Sequence, residues 1–163
     1  MAKLLWKPSE EQIKQSNMYR FMTFINETYH QNFTEFGPLY DWSIENIADF
    51  WAAFWDFADI IHSKPYDEVI DDVAKMPGAK WFSGAKLNFA ENLLRYRDDQ
   101  VALIFKGEDQ PSIRMTYAQL YDEVARLAKS LKELGIQPGD RVVGFMPNMP
   151  ESIIAMLAAS SMG

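Results

Sequence analysis

Val101–Gly163 reads VALIFKGEDQPSIRMTYAQLYDEVARLAKSLKELGIQPGDRVVGFMPNMPESIIAMLAASSMG, and its local signals form one connected unit. Val101-Ala-Leu-Ile-Phe105 is a short apolar run closed by Lys106-Gly107, and Glu108-Asp109-Gln110-Pro111 reads as a turn. Thr116 followed by Gln119 fits a capping box: the threonine hydroxyl accepts a free backbone N–H and the glutamine reaches back to another. Leu120, Val124, Leu127, Leu131 and Leu134 then recur at helical spacing, leaving Asp122, Arg126, Lys129, Lys132 and Glu133 to face water. Gly135 stops this helix in the left-handed conformation that only glycine adopts without strain, and Pro138-Gly139-Asp140 turns the chain. Arg141-Val-Val-Gly-Phe-Met146 is the next expected strand. Pro147-Asn148-Met149-Pro150 breaks it, and Glu151–Met162 is a small-residue apolar helix with Pro150 at or beside its first position.

The alternation is βαβα, which predicts parallel pairing through a right-handed crossover. A parallel sheet buried on both faces needs further strands, and the last helix, with Ile153, Ile154, Met156 and Leu157, leads into none. The expectation is therefore an α/β fold met at its opening, a truncated domain ending just before its next strand.

Upstream, Ser9 and Gln12 form a second capping box after Pro8. The helix they start carries Ile13, Phe21, Phe24 and Ile25 and is expected to end before Gly37-Pro38. Ser43 is the expected cap of the next helix, whose apolar face comprises Ile47, Trp51, Phe54, Trp55, Ala58 and Ile61, widened by Phe50 and Phe57, with Asp56 and Asp59 on its exposed edge. Aromatic residues this dense predict a core helix clamped between layers; a stacking platform for a base or cofactor is the alternative. Pro77-Gly78 is a turn, Lys80-Trp81-Phe82 a short extended piece, and Asn88–Arg97 a helix with Phe89, Leu93 and Leu94 on one side. Gly78–Lys86 superficially looks like a phosphate loop. Its spacing is one residue too long, lysine does not follow the second glycine, and Trp81 and Phe82 would crowd the amides that must wrap a phosphate.

Composition bounds the function. A chain of 163 residues with 48% hydrophobic content can bury a core, and a net charge of −7 disfavours nonspecific binding to nucleic acid or an anionic membrane. The absence of cysteine removes a disulfide framework and a thiol nucleophile and fits a reducing compartment. The start, Met1-Ala-Lys-Leu-Leu-Trp-Lys-Pro8, turns polar too quickly for a signal peptide, so a cytoplasmic location is expected. His30 and His62 lack the HExxH pattern of a zinc helix and read as solvated or helix-terminal residues. Asp71-Asp72 and Asp98-Asp99 read as solvated turns rather than an acid–base pair, and Ser160-Ser161 as a packing contact rather than a nucleophile.

A family resemblance carries the reading further. Met115-Thr-Tyr-Ala-Gln-Leu120, Ala125-Arg-Leu-Ala-Lys-Ser-Leu131, Leu134-Gly135, Pro138-Gly-Asp-Arg-Val142 and Pro147-Asn-Met-Pro-Glu151 resemble, in order, the opening of the adenylate-forming acyl-CoA synthetases. Trp42-Ser43, Phe50-Trp51, Trp81-Phe82, Gly84-Ala85, Leu87-Asn88 and Glu91-Asn-Leu-Leu94 are similar to the helical N-terminal region of the acetyl-CoA synthetase branch. Leu5-Trp-Lys-Pro-Ser9 with Asp41-Trp-Ser-Ile-Glu-Asn-Ile-Ala-Asp-Phe-Trp51 most resembles its acetoacetyl-CoA synthetases. The resemblance implies a helical N-terminal cap region (1–98) followed by the first βαβα units of a truncated AMP-binding, or adenylation, domain (99–163). It also implies a ligase that joins acetoacetate, ATP and CoA through an acyl-adenylate, with Mg²⁺ offsetting charge. Acetate or propionate is the alternative substrate, and a free-standing non-catalytic interaction module the alternative class. The family's phosphate loop, nucleotide contacts, metal-binding acid and catalytic lysine have no counterpart here, so no catalytic, cofactor-binding or metal residue is assigned and the chain alone is expected to be inactive. Thr116, Gly135, Gly139 and Asp140 are expected to set caps and turns, and Trp81 and Asn88 to dock the helical cap. The unpaired edge at Arg141–Met146 predicts self-association.

Overall fold

The computed structural model describes residues 5–109 and 112–163. The sequence readings at Met1–Leu4, and at Gln110 and Pro111 of the expected turn, lie outside the described residues. The chain divides into two compact units: residues through Ile60 with Lys64–Ala85, and Ile61–Ser63 with Lys86–Gly163.

The first unit begins with α1 (Glu10–Gln15) and α2 (Asn17–Thr28). The box at Ser9 is present, with the Ser9 N–H donating to Gln12 Oε1 at 2.9 Å and the Gln12 N–H to Ser9 Oγ at 3.2 Å. The single helix expected from Ser9 is in fact two. Ser16 is extended, and its hydroxyl serves both sides of the break, donating to the Ile13 carbonyl at 2.7 Å and accepting from the Tyr19 N–H at 3.2 Å. As expected, helix ends before Gly37-Pro38, at Thr28. Gly37-Pro38 itself lies in the first turn of α3 (Phe36–Glu45), where backbone N–H groups lack intrahelical partners and proline's missing one costs nothing. Ser43, expected as a cap, sits inside α3 and donates to the Tyr40 carbonyl; α4 (Ile47–Phe57) starts instead at Asn46, without a side-chain cap.

Phe21, Met22, Ile25, Leu39, Trp42 and Ala53 form this unit's core. The Phe21 ring meets those of Phe50 and Phe57 at centroid distances of 5.7 and 5.0 Å, so the stripe Phe50–Ala53–Phe57 is the face of α4 turned inward. The face expected from sequence is rotated from this one, since Trp51 and Phe54 are exposed and Trp55 is buried on the other side. There it packs on β2 (Trp81–Ser83), which pairs antiparallel with β1 (Glu68–Ile70), matching Glu68 to Ser83 and Ile70 to Trp81. Phe82, at a positive φ of 47°, lies 4.7 Å from the Trp55 ring and 5.4 Å from that of Tyr66. Two Tyr66 contacts, to Trp55 and Phe82, close the aromatic trio.

In the second unit, α5 (Phe89–Leu93) precedes β3 (Val101–Phe105) and β4 (Ile113–Thr116), followed by α6 (Tyr117–Glu133) and α7 (Pro150–Ser161). Ala90, Leu94, Leu120, Val124, Ile154, Leu157 and Ala158 make its core. Ala90 and the C-cap Leu94 are buried while Phe89 and Leu93 are exposed, so Phe89, Leu93 and Leu94 do not share one side as expected, and the helix expected over Asn88–Arg97 is confined to Phe89–Leu93. Two expectations are corrected here. The strand after the turn is β4, paired antiparallel with β3 from Val101–Thr116 to Phe105–Ile113, so the observed sheet is a hairpin and not a parallel crossover. Arg141–Met146 belongs to no strand: among the described residues it has no ladder partner, and a segment without one cannot join a sheet.

The helix signals in this unit are as expected. Thr116 N–H donates to Gln119 Oε1 at 2.9 Å and Gln119 N–H to Thr116 Oγ1 at 3.2 Å. At the other end Gly135, φ 89°, donates to the Lys132 carbonyl and Ile136 to that of Leu131, the paired bonds of a Schellman ending. Pro150 takes the first helical position of α7.

Candidate functional site

The densest polar arrangement in the second unit grows from two asparagines one helical turn apart. Asn88 caps α5, its Oδ1 accepting from the Glu91 N–H at 3.0 Å, while its amide donates to the carbonyls of Ser160 and Ser161 at 3.0 and 3.4 Å. Those carbonyls are among the last of α7, so one side chain ties the start of α5 to the end of α7. Asn92 binds both backbone groups of Ile61: its Oδ1 accepts from the N–H and its Nδ2 donates to the carbonyl, each at 2.9 Å. Arg95 donates to the same Oδ1 at 2.9 Å.

A cleft of about 510 Å³ opens beside these residues, bounded by Asn88, Glu91, Arg95, Arg97 and Tyr121. The Arg97 guanidinium lies 3.8 Å from the Tyr121 ring centroid, a cation–π contact. The lining carries arginine, carboxylate and amide groups but no nucleophile with a base beside it. The sequence reading gave Asn88 a docking role, named Asn92 only within a motif block, and missed Arg95 and Tyr121; the i, i+4 spacing of Asn88 and Asn92 is the signal that joins them.

The other singled-out residues fall into structural roles. Ser160 and Ser161 hydroxyls donate to the Met156 and Ala158 carbonyls at 2.6 and 2.7 Å, inside their own helix. Asp140 Oδ2 accepts from the Gln137 N–H at 2.8 Å and the Gly139 N–H donates to the Gly163 carbonyl at 2.9 Å, shaping the turn. Asp98 Oδ1 accepts from the Gln100 N–H at 3.1 Å. Trp81, in the first unit, makes an edge contact with Trp51 at 5.8 Å. There too, burial and then the negative charges of Asp49 and Asp56 raise the phenol pKa of Tyr29, whose hydroxyl donates to the Asp49 carbonyl at 3.0 Å. His30 and His62 are exposed. No group of three or more His, Cys, Asp or Glu side chains among the described residues is placed to share a metal ion.

Known proteins agree with this architecture. Residues 89–163 match the profile of the AMP-binding enzymes, and residues 37–93 match that of the acetyl-coenzyme A synthetase N-terminus. The Xenopus tropicalis acetoacetyl-CoA synthetase is 41% identical over 99% of this chain and 24% of its own, and the Rhizobium meliloti (strain 1021) enzyme is 40% identical over 98% and 24%. The chain is homologous to the acetoacetyl-CoA synthetases. It superposes on the solved acetoacetyl-CoA synthetase from Streptomyces lividans with a TM-score of 0.86 and 37% identity, over 99% of this chain and 26% of that one. The chain thus matches the N-terminal portion of an acyl-CoA synthetase structure, a mixed helix-and-strand arrangement with helices first and small sheets after. It spans about a quarter of the length of the curated relatives it matches. A malonamoyl-CoA synthetase of Penicillium aethiopicum is nearly as similar, at 37% identity over 98% of this chain.

Proposed function

We propose that this chain is the N-terminal part of an ATP-dependent acyl-CoA ligase that converts acetoacetate, ATP and CoA into acetoacetyl-CoA, AMP and diphosphate. The observation that carries the reading is identity of about 40% across nearly the whole chain to acetoacetyl-CoA synthetases. Residues 1–98 would supply the helical N-terminal region and 99–163 the start of the adenylation domain, although α5 folds with the second unit. The whole protein would use ATP, CoA and Mg²⁺ and work in the cytoplasm; no helix among the described residues is long and apolar enough to cross a membrane.

The side chains present do not fit those groups. The described residues offer no metal-sharing carboxylate cluster. The asparagine amides that could meet a phosphate are committed to backbone carbonyls. No step of the reaction is therefore assigned to this chain, which serves as scaffold and is inactive alone. An acetyl- or propionyl-CoA synthetase is the second reading, favoured by the match of residues 37–93 to the acetyl-coenzyme A synthetase N-terminus. ATP–pyrophosphate exchange tests both parts. The purified chain should show none with acetoacetate, acetate or propionate. Fused ahead of the remaining three-quarters of the Rhizobium meliloti relative, it should support exchange with acetoacetate first. Exchange by the chain alone would overturn the scaffold role, and a fusion that prefers acetate would overturn the substrate.

A further inference from the structure

Helix α3 carries two apolar faces. Leu39 and Trp42 hold it to the core of the first unit, while Phe36, Tyr40 and Ile44, spaced i, i+4 and i+8, form a second stripe that is 60, 51 and 53% exposed. The Phe36 and Tyr40 ring centroids lie 6.0 Å apart, so that stripe is continuous. At its start it runs into a groove of about 300 Å³ lined by Ile13, Met18, Tyr19, Met22, Glu35 and Phe36. Large apolar residues in helical register on an outer face mark an interaction surface, since a solvated face carries charge at such positions. The charge around it has one sign. From Phe21 to Ser63 the sequence has no lysine or arginine. Glu35, Asp41 and Glu45 are exposed, and among the described residues none of them forms an ion pair. At about 100° per residue, Asp41 and Glu45 follow the outer border of the stripe.

We propose that the α3 stripe and its groove dock a basic amphipathic helix of a partner protein. That helix lays its apolar face along Phe36, Tyr40 and Ile44 and into the groove, while its lysines and arginines meet Glu35, Asp41 and Glu45. Charge selects this occupant over the others. A second copy of this chain would bring the same unpaired acids to the interface, and an anionic membrane or a nucleic acid is repelled by them. Leu5 and Trp6 of this chain are exposed apolar anchors as well, but they precede α1 without forming a helix, so they present no cationic flank to the acids. The inference stands apart from the ligase reading and holds whichever acid the longer protein activates.

A synthetic helical peptide tests the site. The probe is about 18 residues long, with leucine along one face and lysine elsewhere, and its control carries glutamate in place of every lysine. In fluorescence anisotropy the lysine peptide should bind at least about 100-fold more tightly than the control and weaken as salt is raised. Tyr40→Ser with Ile44→Ser should weaken it at least about 10-fold, and Asp41→Asn with Glu45→Gln by a similar factor. All four side chains are exposed, so melting temperatures should not change. A photo-cross-linker on the peptide's apolar face should label Phe36–Glu45 or the groove. Equal binding of the control, normal binding by either double variant, or cross-links elsewhere overturns the proposal. So does tighter binding by Leu5→Ser/Trp6→Ser, which would give the groove to the chain's own N-terminal segment. Self-association abolished by Tyr40→Ser/Ile44→Ser would give the stripe to a second copy and overturn it equally. A folded fusion to the remaining three-quarters of the Rhizobium meliloti relative should still bind the peptide; loss of binding there would assign the face to the longer protein and overturn the proposal.

Discussion

Trp81–Ser83 and Arg141–Met146 are both short stretches with aromatic and apolar residues, each followed closely by glycine or proline. The first has a strand partner on one edge and a packed face. Its backbone pairs with Glu68–Ile70 and its central Phe82 lies between Trp55 and Tyr66, contacts close enough to hold that residue at a positive φ. The second lies beside α6 and α7 without a strand partner among the described residues, and every residue from Arg141 to Met146 is exposed. Extended backbone by itself is inexpensive; a strand exists where a partner satisfies its edge groups and a layer covers its face. The first stretch finds its partner about a dozen residues upstream. The second has none within the described residues, which is why the same local pattern gives a strand in one place and an open edge in the other.

The largest expected effect follows from that contrast. Trp55→Ala removes the buried indole beneath Phe82 and should destabilise the first unit by about 3–5 kcal/mol, whereas Phe145→Ala should change stability by less than about 0.5 kcal/mol. All five tryptophans lie in the first unit, so their fluorescence in a urea titration reads Trp55→Ala, with Trp55→Phe as a milder control, while urea-dependent amide exchange of α6 reads the second unit, which holds Phe145. Equal costs for the two alanine variants would erase the distinction between a closed and an open strand.

The signals that were legible in the sequence were those completed within one turn of chain. The boxes at Ser9 and Thr116 and the ending at Gly135 need only neighbours three to five residues away, and all three are present. The elements misread depend on distant partners. β1 and β4 are three and four residues long and become strands only by pairing, and Arg141–Met146 has a strand's composition without a partner. Ser16 and Ser43 show a second limit. Each is a serine near apolar periodicity, but Ser16 caps a helix and Ser43 bonds back inside one. The Asn88 and Asn92 bonds to Ser160 and Ile61 were illegible because their acceptors lie 72 and 31 residues away. Family and order of parts were readable from motif blocks; which side chains meet was not.

A smaller effect separates the closed strand from its turn. Gly84 has a φ of +84°, and a Cβ there would fall 2.0 Å from Asp67 Oδ2 and 2.6 Å from its Cγ. Gly84→Ala must both hold an unfavourable backbone and displace the Lys64–Asp67 ion pair, at a cost of about 1–3 kcal/mol. Because that pair is exposed, most of the loss is backbone strain. Gly84→Ala/Asp67→Ala should therefore recover only a minor share, read by the same fluorescence titration. Full recovery in the double variant would assign the cost to the clash instead.

The smallest effect is the acid response of the loop that joins β1 to β2. The Asp71 carboxylate accepts from Lys75 Nζ and from the Lys80 N–H, each at 2.8 Å, while its own N–H donates to the Lys80 carbonyl at 3.2 Å. The lysine hydrogen bond, then the backbone one, holds the carboxyl at about 2, below its ordinary 3.8. A group whose pKa is lowered by folding binds its proton more readily when unfolded. Its stabilising effect is therefore complete above 3.8 and is lost as the pH falls through about 2. Nothing should change between pH 7 and about 5 on this account. Below about 4 the loop should loosen, seen as faster exchange of the Lys80 amide and altered Trp81 emission. Asp71→Asn keeps an acceptor for the Lys80 N–H and cannot titrate, so its Lys80 amide should be insensitive over the same range. Arg141–Met146 has no such latch and should exchange at the unstructured rate on both sides of that transition; a shared acid midpoint for the two segments would mean that one event, and not a local carboxylate, opens both.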